Sequence, residues 1–148
     1  MMPVRQDLHA PDPRPAAGLN DRAFRRADAF ILHNLGRTFT LADIASAACV
    51  SRFHFARQFR QRTGCSPMAY VMRLRLERAK EMLARGDQRI ADTAAALGFY
   101  DQSHFTRTFR RATGVSPRAF SRQHHHAGTT GAVRTLAPPQ PSYAHAHP

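Results

Sequence analysis

An internal repeat constrains this chain more than any other feature. His54–Tyr70 reads HFARQFRQRTGCSPMAY and His104–Phe120 reads HFTRTFRRATGVSPRAF; at an offset of 50 residues, ten of the seventeen positions are identical. Stretches this similar adopt the same local structure, so the chain must accommodate one unit twice. Two copies fall short of a solenoid, which needs about three or more. The expected arrangement is a tandem.

Each copy reads as a two-faced helix followed by a capped turn. Phe55 and Phe59, like Phe105 and Phe109, are four residues apart and share a helical face. Stepping ~100° per residue from Phe55 puts Phe59 near ~40°. Phe53, Arg57, Arg60 and Gln61 fall on the far side, matched in the second copy by Ser103, Arg107, Arg110 and Arg111. Four arginines and no acid lie between Ser51 and Thr63. Thr-Gly ends each helix, with Gly64 and Gly114 as left-handed caps. Ser66-Pro67 and Ser116-Pro117 then open the next helix, serine as N-cap and proline at the first position.

The flanking sequence completes each unit. A helix opens at Asn20 or Asp21, with Phe24, Ala27, Ile31 and Leu35 at helical spacing, and Gly36 ends it. Thr40 caps a short helix, Leu41–Ala48, with Asp43 forming a capping box and Ile44 and Ala45 facing inward. The turn Cys49-Val50-Ser51 leads into the first arginine-rich helix, about Arg52–Arg62. Two short helices joined this way, the second basic outside, form a helix-turn-helix pattern. From Pro67 to about Ala84, Met72, Leu76, Ala79 and Leu83 make a continuous stripe, with Arg73–Glu77 and Glu81–Arg85 as expected ion pairs. Eighteen residues at ~1.5 Å each give a rod of ~27 Å. Ile90–Leu97 mirrors Leu41–Ala48 at an offset of 49; the offset then becomes 50, so the turn Gly98–Tyr100 carries one extra residue. Arg89 stands where Thr40 caps the first copy, Asp101 caps the second basic helix, about Gln102–Ala112, and a last short helix runs from Pro117 to about Arg122.

The organisation that follows is a disordered leader over 1–19, a first helix-turn-helix subdomain over 20–66, and a linker helix over 67–85. A second subdomain spans 86–123, and a disordered tail rich in His, Pro and Ala spans 124–148.

Net charge is +12 with a pI of about 11.5, and Lys80 is the only lysine. Such a balance points to an acidic partner, and the bidentate fork of arginine suits phosphate and guanine. A solubilising surplus is the competing reading, and clustering on one helical face argues against it. Cys49 and Cys65 make neither a disulfide framework nor a zinc motif; they read as buried free thiols in a reducing cytoplasm. No apolar run of signal-peptide or membrane-spanning kind occurs, so a soluble protein is expected. The sequence shows no paired carboxylates in a cleft pattern, no nucleophile elbow, no phosphate loop and no metal-ligand helix, so no enzyme is expected. His54 and His104 lie too far apart to share a metal and read as polar or DNA-facing. The run His124–His126 could take nickel or zinc but has no neighbouring Cys or carboxylate, so neither metal nor cofactor is expected.

Residues 20–122 resemble the DNA-binding domain of the AraC/XylS family of bacterial transcription regulators. The residues that carry it are Leu41–Ala45, Ser51–Phe59, Thr63–Tyr70, Arg73–Ala79, Ile90–Phe99 and Ser103–Phe120, most specifically Gly98-Phe99, His104-Phe105, Phe109-Arg110 and Gly114-Val115-Ser116-Pro117. The resemblance implies an all-α fold of seven helices, two helix-turn-helix subdomains on a long linker helix. It also implies two recognition helices entering successive major-groove segments of double-stranded DNA. Grooves on one face recur every ~34 Å, which the rod and its end pieces suit. Carried over by position, Arg52, Phe53, Ala56 and Arg57 would face the bases and Arg60 the backbone. In the second helix Gln102, Ser103, Thr106 and Arg107 would face the bases, and Arg110 and Arg111 the phosphates. Arginine pairs with guanine, glutamine with adenine, and an apolar side chain meets a thymine methyl. The competing reading is a rim residue of the core for Phe53 and a solvated face for Arg110 and Arg111.

The resemblance extends to the stand-alone members of the family, commonly monomeric activators. The expectation is a sequence-specific transcriptional regulator, an activator touching RNA polymerase by family analogy. The alternatives are a non-specific or architectural nucleic-acid-binding protein and, more remotely, a metal-handling protein using the histidine tail.

Overall fold

Seven helices and no strand make up residues 18–127, the part that the computed structural model describes. They are α1 (Asp21–His33), α2 (Leu41–Ala47), α3 (Arg52–Thr63), α4 (Pro67–Arg85), α5 (Ile90–Ala96), α6 (Gln102–Thr113) and α7 (Pro117–Ala127). The all-α tandem expected from the repeat is the observed fold. No helix among the described residues is long and apolar enough to cross a membrane.

Local chemistry sets the helix ends. The Asn20 side chain accepts from the Ala23 amide at 2.8 Å. Thr40 and Asp43 form a reciprocal capping box, and the Thr40 amide first, then its hydroxyl, hold the Asp43 carboxyl below its ordinary pKa. Ser66 and Ser116 each accept from the amide three residues on, at 3.2 Å. Gly64 and Gly114 stop α3 and α6 in the left-handed region, φ 79° and 82°. The threonine before each glycine has its own part: the Thr63 and Thr113 hydroxyls donate to the Phe59 and Phe109 carbonyls, both at 2.8 Å.

The core divides in two. The first cluster joins Leu19, Ala27, Ile31, Ile44, Phe55, Phe59 and Val71; the second joins Leu76, Ala79, Leu83, Leu97, Phe105 and Phe109. Helix α4 serves both, its start packing on the first and its end on the second. Repeat-equivalent ring pairs recur in the same edge-on geometry, Phe59–Tyr70 at 5.3 Å and Phe109–Phe120 at 5.4 Å.

Several details differ from the sequence reading. Helix α1 ends at His33, three residues before Gly36, because the Asn34 side chain donates back to the Phe30 carbonyl at 2.8 Å. Leu19, assigned to the leader, is buried; its amide donates to the Gln58 carbonyl at 3.3 Å and its carbonyl accepts from Arg62 at 2.8 Å. Helix α7 runs through His124–His126 to Ala127, where a disordered tail was expected to begin. The His124 ring stacks on Phe120 at 4.0 Å, which favours continuing the helix. The rest of the expected leader and tail, 1–17 and 128–148, lies outside the described residues. Glu77 pairs with Lys80 at 2.7 Å and Glu81 with Arg78 at 2.6 Å, in place of the i,i+4 partners expected; Arg73 lies over the Tyr70 ring instead. Cys49 is exposed and Cys65 half-buried, so neither is the buried thiol expected.

Candidate nucleic-acid interface

Helices α3 and α6 each use one face to hold on and leave the other free. Phe55, Phe59, Phe105 and Phe109 are fully buried. On α3, Arg52, Arg57, Arg60 and Gln61 are exposed, and Phe53 is 78% exposed. Phe53 is therefore no rim residue of the core; the Arg52 guanidinium lies 5.0 Å from its ring in a surface cation–π pair. On α6, Gln102, Ser103, Arg107, Arg110 and Arg111 are exposed. Ala56 and Thr106 sit half-buried at the edge of each face.

The electrostatics of the two faces are one-signed. Neither α3 nor α6 contains an acid. Among the described residues, none of Arg52, Arg57, Arg60, Arg107, Arg110 and Arg111 forms an ion pair. Arg62 is the exception on α3. It pairs with Asp21 at 2.7 Å, bonds the Leu19 carbonyl and covers the Phe24 ring at 4.4 Å, so it anchors α1. Its guanidinium holds the Asp21 carboxyl below the ordinary carboxylate pKa, by hydrogen bond first and by charge second.

The two turns that aim these helices correspond at the offset of 49. The Val50 amide donates to the Ala45 carbonyl at 3.0 Å, and the Phe99 amide to the Ala94 carbonyl at 3.1 Å. The extra residue of the second turn is therefore Tyr100, which is 92% exposed immediately before Asp101, the N-cap of α6. Sequence reading passed over it as a candidate site residue; the change of offset was the available signal. The helix starts differ too. Asp101 caps α6 through the His104 amide at 2.6 Å. Ser51 makes no backbone cap, and its hydroxyl lies 3.1 Å from His54 Nδ1. His54 is exposed, whereas His104 is half-buried edge-on to Phe99 at 5.5 Å. No cluster of three or more potential metal ligands occurs among the described residues.

A family model described as a helix-turn-helix domain matches residues 44–123, just over half of the chain. A Streptomyces lividans protein described as an AraC-like transcription regulator is 33% identical over 87 residues, 59% of this chain and 29% of that protein. The chain belongs to the AraC-type helix-turn-helix family. AraC-type domains are parts of transcription regulators and are not an enzyme class. The transcriptional activator RhaS of Klebsiella pneumoniae is 31% identical over 84 residues, 57% of this chain and 30% of its own. The chain thus spans about a third or less of these curated relatives. Among solved structures, an AraC-type regulator from Chromobacterium violaceum superposes with a TM-score of 0.65 at 30% identity, covering 69% of this chain and 91% of that one. The DNA-binding domain of AdpA, solved in complex with a target DNA, gives a TM-score of 0.69 at 28% identity, covering 76% and 100%.

Proposed function

We propose that this AraC-type chain is a sequence-specific DNA-binding transcriptional regulator that lays α3 and α6 into successive major-groove segments of one duplex. The observation that carries this reading is the duplicated outward face. The same helix, buried through the same two phenylalanines, offers unpaired arginine at the same positions twice. A single basic face would bind phosphate; two on one frame suit a bipartite site. Arg57 and Arg107, opposite the buried rings, are the base-reading arginines of the proposal. Arg52, Phe53, Ala56, Gln102, Ser103 and Thr106 complete the base-facing set, with Arg60, Arg110 and Arg111 on phosphates. Tyr100 joins them at the start of α6, where an exposed aromatic with a hydroxyl can reach backbone or sugar. Activation as a monomer, through contact with RNA polymerase in the bacterial cytoplasm, completes the proposal; the activator name of the Klebsiella relative supports its sign.

The test is selection from a randomised duplex library. The expected result is a motif in two halves, centred about one helical turn, ~10 base pairs, apart. Flat affinity across sequences would replace this reading with that of a non-specific binder, which the net charge of +12 alone would explain.

A further inference from the structure

The two apolar clusters each fasten one unit to α4. Burial itself is non-directional, and a polar contact adds a directional restraint between the units. Arg75 supplies one. It lies on α4 between Leu74, which packs on the first cluster, and Leu76, which belongs to the second. Only 8% of it is exposed. Its Nε donates to the Leu35 carbonyl at 3.0 Å and its Nη2 to the Arg37 carbonyl at 2.8 Å, both in the loop between α1 and α2. Its Nη1 donates to the Gly98 carbonyl at 3.3 Å, in the turn between α5 and α6. One planar group with a fixed fork of donors thus joins backbone from both units.

The surroundings are shaped for that group. A Cβ on Gly98 would come within 3.0 Å of Arg75 Nη2 and 3.2 Å of its Cζ. A Cβ on Gly36 would meet the Ala96 carbonyl oxygen at 2.3 Å, so the units touch there through backbone. The Phe39 ring lies 5.6 Å from the guanidinium. No carboxylate pairs with Arg75 among the described residues; three backbone carbonyls accept its hydrogen bonds. Gly98 stands four residues before the start of α6, and Arg37 four before the start of α2, which packs on α3. Movement at this seam is passed directly to both basic helices.

We propose that Arg75 is a positioning residue that fixes the relative orientation of α3 and α6 and thereby selects the half-site spacing that the chain accepts. The specificity half of this rests on the DNA-binding reading above; the orientation half does not. One base pair of added spacing turns a half-site by ~34° and moves it by ~3.4 Å. A seam held by three directional bonds resists that change; without them α4 and the Gly36–Ala96 backbone contact remain, and the seam yields by bending.

Two measurements on the full chain test it, with wild type, Arg75→Met and Arg75→Lys. Methionine keeps an apolar stem without donors, and lysine keeps the charge with one donating nitrogen. The first measurement is residual dipolar coupling of backbone amides in the free protein. One alignment tensor should fit α3 and α6 together in wild type, and two should be needed in Arg75→Met. The second uses the duplex selected by wild type, with one base pair inserted or removed between its halves. Wild type should lose about tenfold or more in affinity, and Arg75→Met should lose less than about threefold. Affinity for an isolated half-site should be unchanged. A general loss of fold would instead lower all three affinities together. Should Arg75→Met not fold, Arg75→Lys carries both measurements, with a weaker effect in the same direction. A single tensor and an unaltered spacing profile in the folded variant overturn the proposal. If wild type selects no bipartite site, the DNA reading falls with the specificity half, and the dipolar couplings still decide the orientation half.

Discussion

Cys49 and Gly98 occupy the same left-handed position in the two turns, with φ of 58° and 71°. The repeat thus places an unfavourable residue in one copy and a permissive one in the other. Cys49 is exposed, touched at Sγ by Arg26 Nη1 at 3.3 Å. Gly98 is closed in by the Arg75 guanidinium and the Arg37 carbonyl. The same backbone geometry therefore meets unequal space. Gly98→Ala should lose about 2–4 kcal/mol, from left-handed strain plus a clash with a pinned group. Cys49→Gly should gain up to about 1 kcal/mol, since relief of strain exceeds the added chain entropy. Urea denaturation of both variants measures this; equal and opposite small changes would contradict the crowding at Gly98.

Phe109 is fully buried and contacts both Phe105, at 5.6 Å, and Phe120, at 5.4 Å. Phe109→Ala should cost ~3–5 kcal/mol and unfold at least the second unit. Loss of helical circular dichroism on heating follows it, and an unchanged melting temperature would place the ring at the surface.

The repeat exposed the fold because its marks are local. Gly64, Gly114, Ser66-Pro67 and the paired phenylalanines each act within a turn of helix, so one sequence suffices to read them. The outward faces of α3 and α6 were legible for the same reason. Arg75 was not. On α4 it looks like any other arginine, and its partners lie 23, 38 and 40 residues away on backbone carbonyls that no side-chain pattern marks. Leu19 and Arg62 were missed similarly, their contact bridging 43 residues. Helix α1 was carried too far because Leu35 continued the apolar spacing, while the stop comes from the Asn34 side chain. Tyr100 was visible as a change of offset, yet its exposure depends on where the turn closes.

Tyr70 predicts a pH dependence. Burial first, and then the Asp28 carboxylate 2.9 Å from the hydroxyl, push its pKa up to about 12. The unfolded value is about 10. A folded pKa above the unfolded one means that the contribution is fully present below about pH 10 and is lost as pH rises through about 12. Tyr70 is only half-buried, so solvent screening reduces the amplitude to roughly 1 kcal/mol. Tyr70→Phe should be less stable than wild type at pH 8 by ~1 kcal/mol, and the gap should narrow by pH 11.5. Denaturant midpoints at the two pH values give the comparison; a constant gap would deny the coupling to Asp28.

The end of α7 offers a smaller effect. His124 stacks on Phe120 with rings inclined by 22°, and its Nδ1 lies 2.8 Å from the Phe120 carbonyl. His124→Ala should lower stability by ~1 kcal/mol. A change below about 0.3 kcal/mol in the folding free energy, within the usual surface range, would mean that the last turn of α7 adds nothing to the second core.

On the proposed reading the exposed arginines divide into base readers and phosphate binders. Arg107 stands opposite the buried Phe105–Phe109 face, while Arg110 and Arg111 lie in the last turn of α6. A side chain directed away from the core by a helix seated in a groove meets base edges; one at the end of that helix meets the groove wall. Removing a base-reading arginine costs ~1–3 kcal/mol and relaxes preference at one position. Removing a phosphate-binding one weakens all sequences alike and lowers the salt slope by about one. Arg107→Ala should show the first behaviour and Arg110→Ala the second. The Arg57→Ala effect should map ~10 base pairs from that of Arg107→Ala, because the two residues are repeat equivalents. Each variant is to be measured against the randomised duplex library at two salt concentrations. If Arg107→Ala scales every affinity down by one factor, the arginine binds phosphate and base reading on α6 passes to Gln102, Ser103 and Thr106. If the Arg57 and Arg107 effects fall within the same few base pairs, the two helices do not occupy successive grooves.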